Sequence, residues 1–280
     1  MLEAEEAPSP KEKWKTIDLS RMIMDPDWKV YFISLNLVNK SGALASFLNI
    51  LKKHDLNLIG ILSESISRKE EIEISMFLET PVKMERNELE DIVREEINRE
   101  KIDVVKEIKI FDHSNGFDAD AYHFPLTVGN TRAVIFPLSV LEGFIIRLKN
   151  SFDPLIVQTI LWYQGREIGE RISESYRESG IGIHAIEMLK AKALSFGWAH
   201  MEVPQLDEKD RKAVVRLFDN WECGMFKDSA VPRSHFLRGI IAGFFSSLFK
   251  VEVDATEVKC TSKGDPYCEF VLEERKKGKV

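Results

Sequence analysis

The sequence has few cysteines and lacks a long apolar run. Three cysteines occur in 280 residues, and this odd, sparse set argues against a disulfide framework and for reduced thiols in the cytoplasm. No stretch approaches the ~20 uncharged apolar residues that a membrane helix needs. The most apolar run, 133–148, is broken by Pro137, Glu142 and Arg147, and it predicts a buried strand followed by a buried helix.

Other signals are also missing. Residues 1–27 have no apolar core, so they predict a flexible leader rather than a secretory signal. The net charge is -7 and the basic residues are dispersed, so nucleic acid is not expected as a direct partner. A Gly-rich dinucleotide fingerprint, a nucleophile elbow and a His-rich metal set are all lacking, which disfavours an enzyme.

A chain of 280 residues is long enough for two domains. Over residues 28–111, alternating and helical apolar spacings follow the order strand, helix, strand, strand, helix, strand. This is the order of a ferredoxin-like βαββαβ domain. We therefore expect an α+β protein of two domains, with the ferredoxin-like one at the N-terminus.

The turn between the first strand and the first helix is the specific feature of this domain. Within LVNKSGALASFLNILKKHDLNL it comprises Asn39, Lys40, Ser41 and Gly42, and Gly42 permits close backbone approach. The stretch resembles the ACT domain family, which the resemblance implies pairs sheet edge to sheet edge and binds an amino acid at these four residues. Lys40 replaces the acid frequently found there. A role in association alone, with Ser41 capping the helix, therefore stays open.

The second domain follows a short polar segment. Residues 112–122 are rich in Asp, Ser, Asn and Gly and predict a linker. Residues 123–275 predict a mixed α/β domain with a hairpin over 124–138, three helices, a strand pair, an apolar helix after Pro232 and a final hairpin. The basic residues 276–280 predict a solvated tail.

Five stretches of the second domain, in order, resemble a known family. They are YQGREIG, GIH, DNWECG, PRSHFLRGIIAGFFSSLF and EVKCTSKGDPYCEFV. Over about 120–275 they are similar to the 4-vinyl reductase (4VR) domain family, which includes the sensory domains of phenol- and xylene-responsive transcription activators and archaeal proteins described as hydrocarbon-binding. The resemblance implies helices around a small antiparallel sheet that enclose an apolar pocket.

The resemblance also implies a zinc site. In the phenol-sensing members one cysteine at the start of the apolar helix and a Glu-x-x-Cys…Cys pattern in the final hairpin hold zinc. Glu257, Cys260 and Cys268 match the second part, whereas the helix position is Ser234, and a hydroxyl is a poor zinc ligand. An open three-ligand site, a metal-free hairpin and a disulfide all stay open. Cys223 is expected on another strand, at a position that is not a ligand in the sensors.

The family resemblance assigns the pocket residues in the same way. His184 aligns with a histidine that holds the ligand hydroxyl in the phenol sensors, and the sensors' tryptophan position falls on Leu217, with Trp221 nearby. A pocket without that indole donor is expected to take a less polar ligand. A backbone-bonded His184 without a ligand role is the alternative. Further apolar wall is expected from Trp162, Tyr163 and Phe236.

These features together predict a cytoplasmic, ligand-sensing regulatory protein. The second domain is expected to bind a small apolar molecule and zinc, and the first to bind an amino acid or to mediate homodimerisation. No helix-turn-helix or ATPase signature is present, so regulation would require a protein partner. Two alternatives stay open: an adaptor or scaffold subunit without a ligand, and a metal-dependent reductase or hydrolase, which the vinyl-reductase name alone does not support.

Overall fold

The structure is a computed structural model, and it describes residues 15–19, 21–24, 29–63, 69–80, 84–112, 117–120, 122–128, 131–181, 184–226 and 228–276. Most of the predicted leader and tail, and Gly182 and Ile183 of the GIH stretch, lie outside these residues. Residues 16–135 form one compact unit, here the first unit, and residues 136–280 belong to the second unit. None of the described helices is both long and apolar enough to cross a bilayer.

The first unit is built on an antiparallel sheet with two helices. Its elements are β1 (Met22–Met24), β2 (Lys29–Val38), α1 (Ala43–Lys53), β3 (Asn57–Ser63), β4 (Glu71–Thr80), α2 (Arg86–Glu100), β5 (Val105–Phe111), β6 (Phe117–Ala119), β7 (Thr127–Val128) and β8 (Thr131–Arg132). The main sheet has the order β3-β4-β2-β5, with every neighbouring pair antiparallel. The elements from β2 to β5 thus follow the predicted order of strands and helices.

The core of the first unit lies between this sheet and the two helices. Successive strand side chains point to opposite faces, so every second residue of β2 can enter the same core. Those residues meet the apolar stripes of α1 and α2, and the cluster includes Ile33, Leu35, Phe47, Ile50 and Leu89. The periodicity visible in the sequence therefore produces this part of the fold directly.

The segment predicted as a linker, 112–122, contains ordered structure. Its strand β6 pairs with β1. Beyond β6, the Nδ1 atom of His123 lies 3.0 Å from both Ser75 Oγ on β4 and Asp120 Oδ1. The contacts divide the chain after residue 135, so this segment lies in the first unit.

The second unit combines five helices with a second antiparallel sheet. Its elements are α3 (Leu138–Ser151), α4 (Pro154–Glu178), α5 (Ala185–Ser195), β9 (His200–Asp207), β10 (Lys212–Phe218), α6 (Trp221–Gly224), α7 (Phe236–Phe249), β11 (Val253–Lys259), a 3-10 turn (Thr261–Lys263) and β12 (Cys268–Glu274). The strands have the order β11-β12-β10-β9. The predicted mixture of helices and a small antiparallel sheet is confirmed.

Helices α4 and α7 approach each other through glycines. A Cβ atom at Gly169 would lie 2.0 Å from the carbonyl oxygen of Ile240, and one at Gly243 would lie 2.0 Å from that of Arg166. No side chain fits at such distances, so the two backbones meet only because these positions lack a Cβ. The other two glycines of this contact are Gly165 and Gly239.

The apolar run 133–148 differs from its prediction. Residues 133–137 are not in a strand, and Val134 is 68% exposed. The predicted buried strand is therefore wrong: a strand needs a neighbour for its backbone groups, and the hairpin of β7 and β8 ends before this segment begins. The predicted helix is present as α3, but of its residues only Ile145 is buried.

Candidate metal centre and ligand groove

Four side chains with metal-binding atoms meet inside the second unit. The sulfur atoms of Cys223, Cys260 and Cys268 and a carboxylate oxygen of Glu257 all lie within 4.8 Å of one another. All four residues are buried, and the three cysteines are free. We refer to these four residues as the thiol cluster.

A β-bulge places two members of the thiol cluster on the same side of β11. Glu257 and Cys260 are three residues apart, so strict alternation would turn them to opposite faces. The register of β11 against β12 shifts between Glu257 and Lys259, which leaves Val258 as the extra residue. Bulges of this kind redirect a side chain. The Glu-x-x-Cys spacing therefore works because of the bulge.

The turn after β11 brings the third member into place. The backbone N–H of Cys260 donates to Asp265 Oδ2 at 2.7 Å, which closes the loop around the 3-10 turn. Gly264 has a φ of 95°, a backbone conformation that glycine adopts without strain. The N–H of Thr261 then points at Cys268 Sγ at 3.4 Å. The turn supplies both the geometry and a hydrogen bond to a sulfur.

Cys223 reaches the thiol cluster from the short helix α6. Asn220 caps this helix: its Oδ1 accepts hydrogen bonds from the N–H groups of Glu222 and Cys223. The Nδ2 of the same side chain lies 3.5 Å from Cys223 Sγ and 3.4 Å from Cys268 Sγ. Asn220 therefore fixes the position of Cys223 and donates toward two sulfurs.

The position of Cys223 corrects two expectations. Cys223 lies on a helix, not on a strand, and it occupies the place in the cluster for which Ser234 was considered. Ser234 Oγ instead accepts a hydrogen bond from Asn220 Nδ2 at 2.9 Å, and its N–H donates to Glu257 Oε2 at 3.2 Å. The one signal in the sequence was an Asn three residues before a Cys, which is typical of a helix cap.

Glu222 anchors the start of α7. Its carboxylate accepts hydrogen bonds from the N–H groups of His235, Phe236 and Leu237 at 2.9 to 3.0 Å. The cap predicted from Ser234 or Arg233 is therefore wrong, since a residue distant in sequence satisfies the free amides. Burial raises the pKa of Glu222 to about 6, although these amides oppose the shift.

The thiol cluster cannot easily hold several negative charges. Hydrogen bonds from Cys223 and Cys268 lower the pKa of Cys260, while the hydrogen bond to Cys260 raises the pKa of Cys223. Burial, and then the hydrogen bond to Cys260, raises the pKa of Glu257 to about 8. Buried groups of like charge favour ionisation only when a cation neutralises them.

Positive side chains lie around the cluster. The electrostatic field of Lys149 acts on Glu222, and that of Arg238 acts on both Glu222 and Glu257. Among the described residues, no hydrogen-bond partner is found for Lys149 Nζ, for Arg238 Nε or for either ring nitrogen of His235, and all these atoms are buried. These cations offset part of the negative charge that a fully ionised cluster would carry.

The donor set and its spacing fit a zinc ion. Zinc binds thiolates at about 2.3 Å in a tetrahedron, which places neighbouring ligand atoms roughly 3.7 Å apart. The Sγ atoms of Cys223 and Cys260 are 3.4 Å apart, and the whole set lies within 4.8 Å. Three sulfurs and one carboxylate are ligands that zinc accepts. The cluster can therefore hold a zinc ion with small adjustments of the side chains.

The six residues expected to form an apolar pocket are divided among several places. Tyr163 and Phe236 line an open surface groove of about 540 Å³, together with Gln164, Glu167 and Ile168. Leu217 lines a separate core cavity of about 10 Å³, which has room for about one water molecule.

The remaining three predicted pocket residues line neither space. Trp162 packs edge-on against Tyr163 with ring centroids 4.8 Å apart, and Trp221 packs against Phe236 at 6.2 Å. His184 is exposed at the start of α5 and does not cap that helix. The structure thus brings two of the six residues into one groove and supports them with two tryptophans.

The turn Asn39–Gly42 of the first unit is exposed at all four residues. Gly42 has a φ of 83° and begins α1 without a side-chain cap, so the alternative in which Ser41 caps the helix is wrong. Asn39 Nδ2 donates to the carbonyl oxygen of Lys69 at 3.0 Å. The turn therefore leaves the amides of the first turn of α1 without a capping side chain.

Comparison with known families supports the assignment of the second unit. Residues 213–274 match the family model of the 4-vinyl reductase (4VR) domain. This segment contains all four members of the thiol cluster. The predicted similarity to the 4-vinyl reductase family is confirmed over these residues.

Individual relatives cover about half of the chain. An uncharacterized protein of Methanocaldococcus jannaschii is 26% identical over 147 residues, which are 52% of this chain and 78% of the relative. A solved vinyl-4-reductase family protein of the same organism is 21% identical and covers 51% of this chain and 85% of its own, with a TM-score of 0.37. The phenol-responsive sensory domain of the transcription activator PoxR, solved with phenol, is 16% identical and covers 53% and 79%, with a TM-score of 0.49.

Proposed function

We propose, from the 4VR match of residues 213–274 and from the thiol cluster within it, that the chain is a cytoplasmic ligand-sensing regulatory protein. The second unit binds zinc and a small hydrophobic molecule. The first unit binds an amino acid or mediates homodimerisation, and the signal passes to a protein partner. The thiol cluster is the observation that carries this proposal.

The proposed zinc ion is held by Cys223, Glu257, Cys260 and Cys268. Four protein ligands leave no open coordination position, which is typical of a structural site rather than a catalytic one. When bound, zinc supplies the positive charge that lets the buried thiols ionise. The cluster joins β11, β12 and α6, so metal binding stabilises the region that supports the start of α7. This arrangement favours a sensor over a hydrolase or reductase.

The proposed ligand site is the groove beside Tyr163 and Phe236. Its volume of about 540 Å³ lies within the range of roughly 300–1,000 Å³ that is usual for small-molecule sites. Its walls combine two aromatic rings with Ile168, whereas the core cavity beside Leu217 is too small for any organic molecule. A small apolar molecule with few polar groups matches these walls.

The proposal for the first unit rests on the exposed turn. Gly42 places no side chain over the first turn of α1, and free amides at a helix start attract a carboxylate. Asn39, Lys40 and Ser41 border this position. An amino-acid carboxylate is the ligand that such a turn accepts, and pairing of two first units is the other role proposed for it.

Metal analysis of the full chain tests the zinc proposal. We expect about one zinc ion per chain after purification without added metal, by native mass spectrometry and elemental analysis. Cys223→Ser should lose the ion, because a hydroxyl replaces a thiolate ligand. Ser234→Ala is the matched control and should retain it. Equal zinc content in the two variants, or none in the unaltered chain, would contradict the proposal.

Binding of toluene, followed by calorimetry, tests the groove. Tyr163→Ala should weaken this binding by about tenfold, because one aromatic wall is removed. Leu194→Ala removes an exposed apolar side chain on α5 that is not among the residues lining the groove, and it should change nothing. If neither toluene nor a co-purified apolar molecule is found in the unaltered protein, the adaptor alternative is favoured instead.

A further inference from the structure

Helix α3 and the first half of α4 expose a large number of apolar side chains. Ten residues between 136 and 163 are between 39% and 70% exposed. We call this set the α3–α4 face: Phe136, Leu138, Val140, Phe144, Ile146, Phe152, Leu155, Ile156, Ile160 and Tyr163.

The α3–α4 face lies opposite the side of these helices that is already packed. In α4, Val157 and Leu161 are buried, while Ile156, Ile160 and Tyr163 follow one another at helical spacing on the other side. Helices that are apolar on both sides are normally buried on both sides. The second side has no cover among the residues that the structure describes.

The size of the face matches a stable protein interface. Large apolar side chains bury 150–250 Å² each, so ten of them, about half exposed, present on the order of 1,000 Å². A standard interface removes about 800 Å² per partner from water. Monomeric proteins rarely expose a contiguous apolar patch larger than a few hundred Å². The area is therefore sufficient for a partner of protein size.

The charges on the face suit a second copy of the same chain. Between residues 136 and 163 there are four charged residues, two acidic and two basic: Glu142, Asp153, Arg147 and Lys149. In a two-fold dimer the same patch meets itself, so a patch with a strong net charge would repel its copy. A neutral apolar face meets no such repulsion.

We propose that a second copy of this chain docks on the α3–α4 face and forms a symmetric dimer through the second unit. The surface is distinct from the Asn39–Gly42 turn of the first unit, so its failure would leave the proposed ligand and metal sites standing. Tyr163 belongs to both the face and the groove, and the docked copy therefore borders the open side of the groove.

Sedimentation equilibrium of the full chain tests this proposal. The unaltered protein should be a dimer, and Phe144→Glu with Ile160→Glu should raise the dimer dissociation constant at least about 100-fold, since two charges would enter an apolar interface. Leu194→Glu, at an equally exposed apolar residue of α5, is the matched control and should leave the dimer intact. Circular dichroism checks that each variant is folded.

A cross-linking experiment keeps the proposal testable if the glutamate variants unfold. Thr159 is exposed on the same side of α4 as Ile156 and Tyr163. Thr159→Cys should form a covalent dimer with a short bis-maleimide, whereas Leu194→Cys should not. A monomeric unaltered protein would overturn the proposal. A dimer that survives both glutamates but is lost in Ile61→Glu, on β3 of the first unit, would also overturn it.

Discussion

The thiol cluster and the Asn39–Gly42 turn are both candidate binding sites, but they are built in opposite ways. In the cluster all four residues are buried, and Asn220, Thr261 and Asp265 hold them through hydrogen bonds. In the turn all four residues are exposed, and Asn39 makes the one side-chain hydrogen bond described for them. The first site is complete within one chain, whereas the second offers a carboxylate no enclosing wall.

This difference indicates how each site responds to change. A buried cluster depends on the packing around it, so distant substitutions are expected to reach it. An exposed turn depends mainly on its own backbone, and surface substitutions there usually change stability by less than about 0.5 kcal/mol. The comparison therefore predicts a steep hierarchy of effects between the two units.

The largest effect is expected at the contact between α4 and α7. Gly169→Ala places a methyl group where the carbonyl oxygen of Ile240 lies, so the free energy of unfolding of the second unit should fall by more than about 3 kcal/mol. The cluster should lose its metal affinity with it. Gly143→Ala, where a Cβ meets nothing within 4 Å, is the control in urea unfolding. An unchanged midpoint for Gly169→Ala would show that the cluster does not need this framework.

Zinc affinity should rise steeply with pH. The pKa values of Cys223 and Glu257 are raised, the latter to about 8, so binding releases protons near neutral pH. Two released protons correspond to about 100-fold in affinity per pH unit. Competition with a chromophoric chelator at pH 6, 7 and 8 measures this slope. Affinity that is constant over this range would contradict proton release by the cluster.

The metal-free protein should show the opposite trend. The raised pKa of Glu257 contributes stability that is present below the usual pKa of 4.5 and is lost as the pH rises through about 8. Thermal unfolding with and without a chelator at several pH values separates the two trends. The turn of the first unit takes no part in either.

Asn220→Ala should weaken zinc binding by about 10- to 100-fold, the usual effect of removing a group that hydrogen-bonds metal ligands. Its amide lies near two sulfurs and also caps the helix that carries Cys223. Asn220→Asp preserves the cap but removes the donor toward sulfur, so it should restore stability without restoring affinity. Full affinity in the Ala variant would assign Asn220 a purely structural role.

The smallest effects are expected in the turn. Gly42→Ala puts a side chain at a φ of 83° and should cost the first unit about 1–2 kcal/mol, because left-handed backbone is unfavourable for residues with a Cβ. Ser41→Ala should cost less than about 0.5 kcal/mol, since Ser41 caps nothing. Urea unfolding measures both. A larger loss for Ser41→Ala would show that the turn is supported by more than its backbone.

Much of the fold could be predicted from the sequence because its periodicity is local. The alternation in β2 and the helical spacing in α1 arise within about ten residues, and both elements are present. Residues 133–137 failed as a strand because a strand also requires a partner, which no local pattern reveals.

The site was predictable only in part, for a related reason. Glu257, Cys260 and Cys268 lie on one hairpin, so a short pattern contains them. Cys223 joins them from a helix 34 residues before Glu257, through a turn that Asn220 sets. Tyr163 and Phe236 come together because glycines let α4 and α7 meet, and that contact is not visible in either segment alone.

The bulge at Val258 separates the spacing of two ligands along the gene from their spacing on the sheet. In a regular strand, a glutamate and a cysteine with one residue between them already share a face. A relative that lacks this one codon and pairs without a bulge would therefore still turn both ligands to the same side. A relative that keeps both intervening codons but pairs regularly would turn them apart. In comparing genes, a one-codon gap here is thus compatible with an intact centre, and a search that demands the two-residue spacing would miss such relatives.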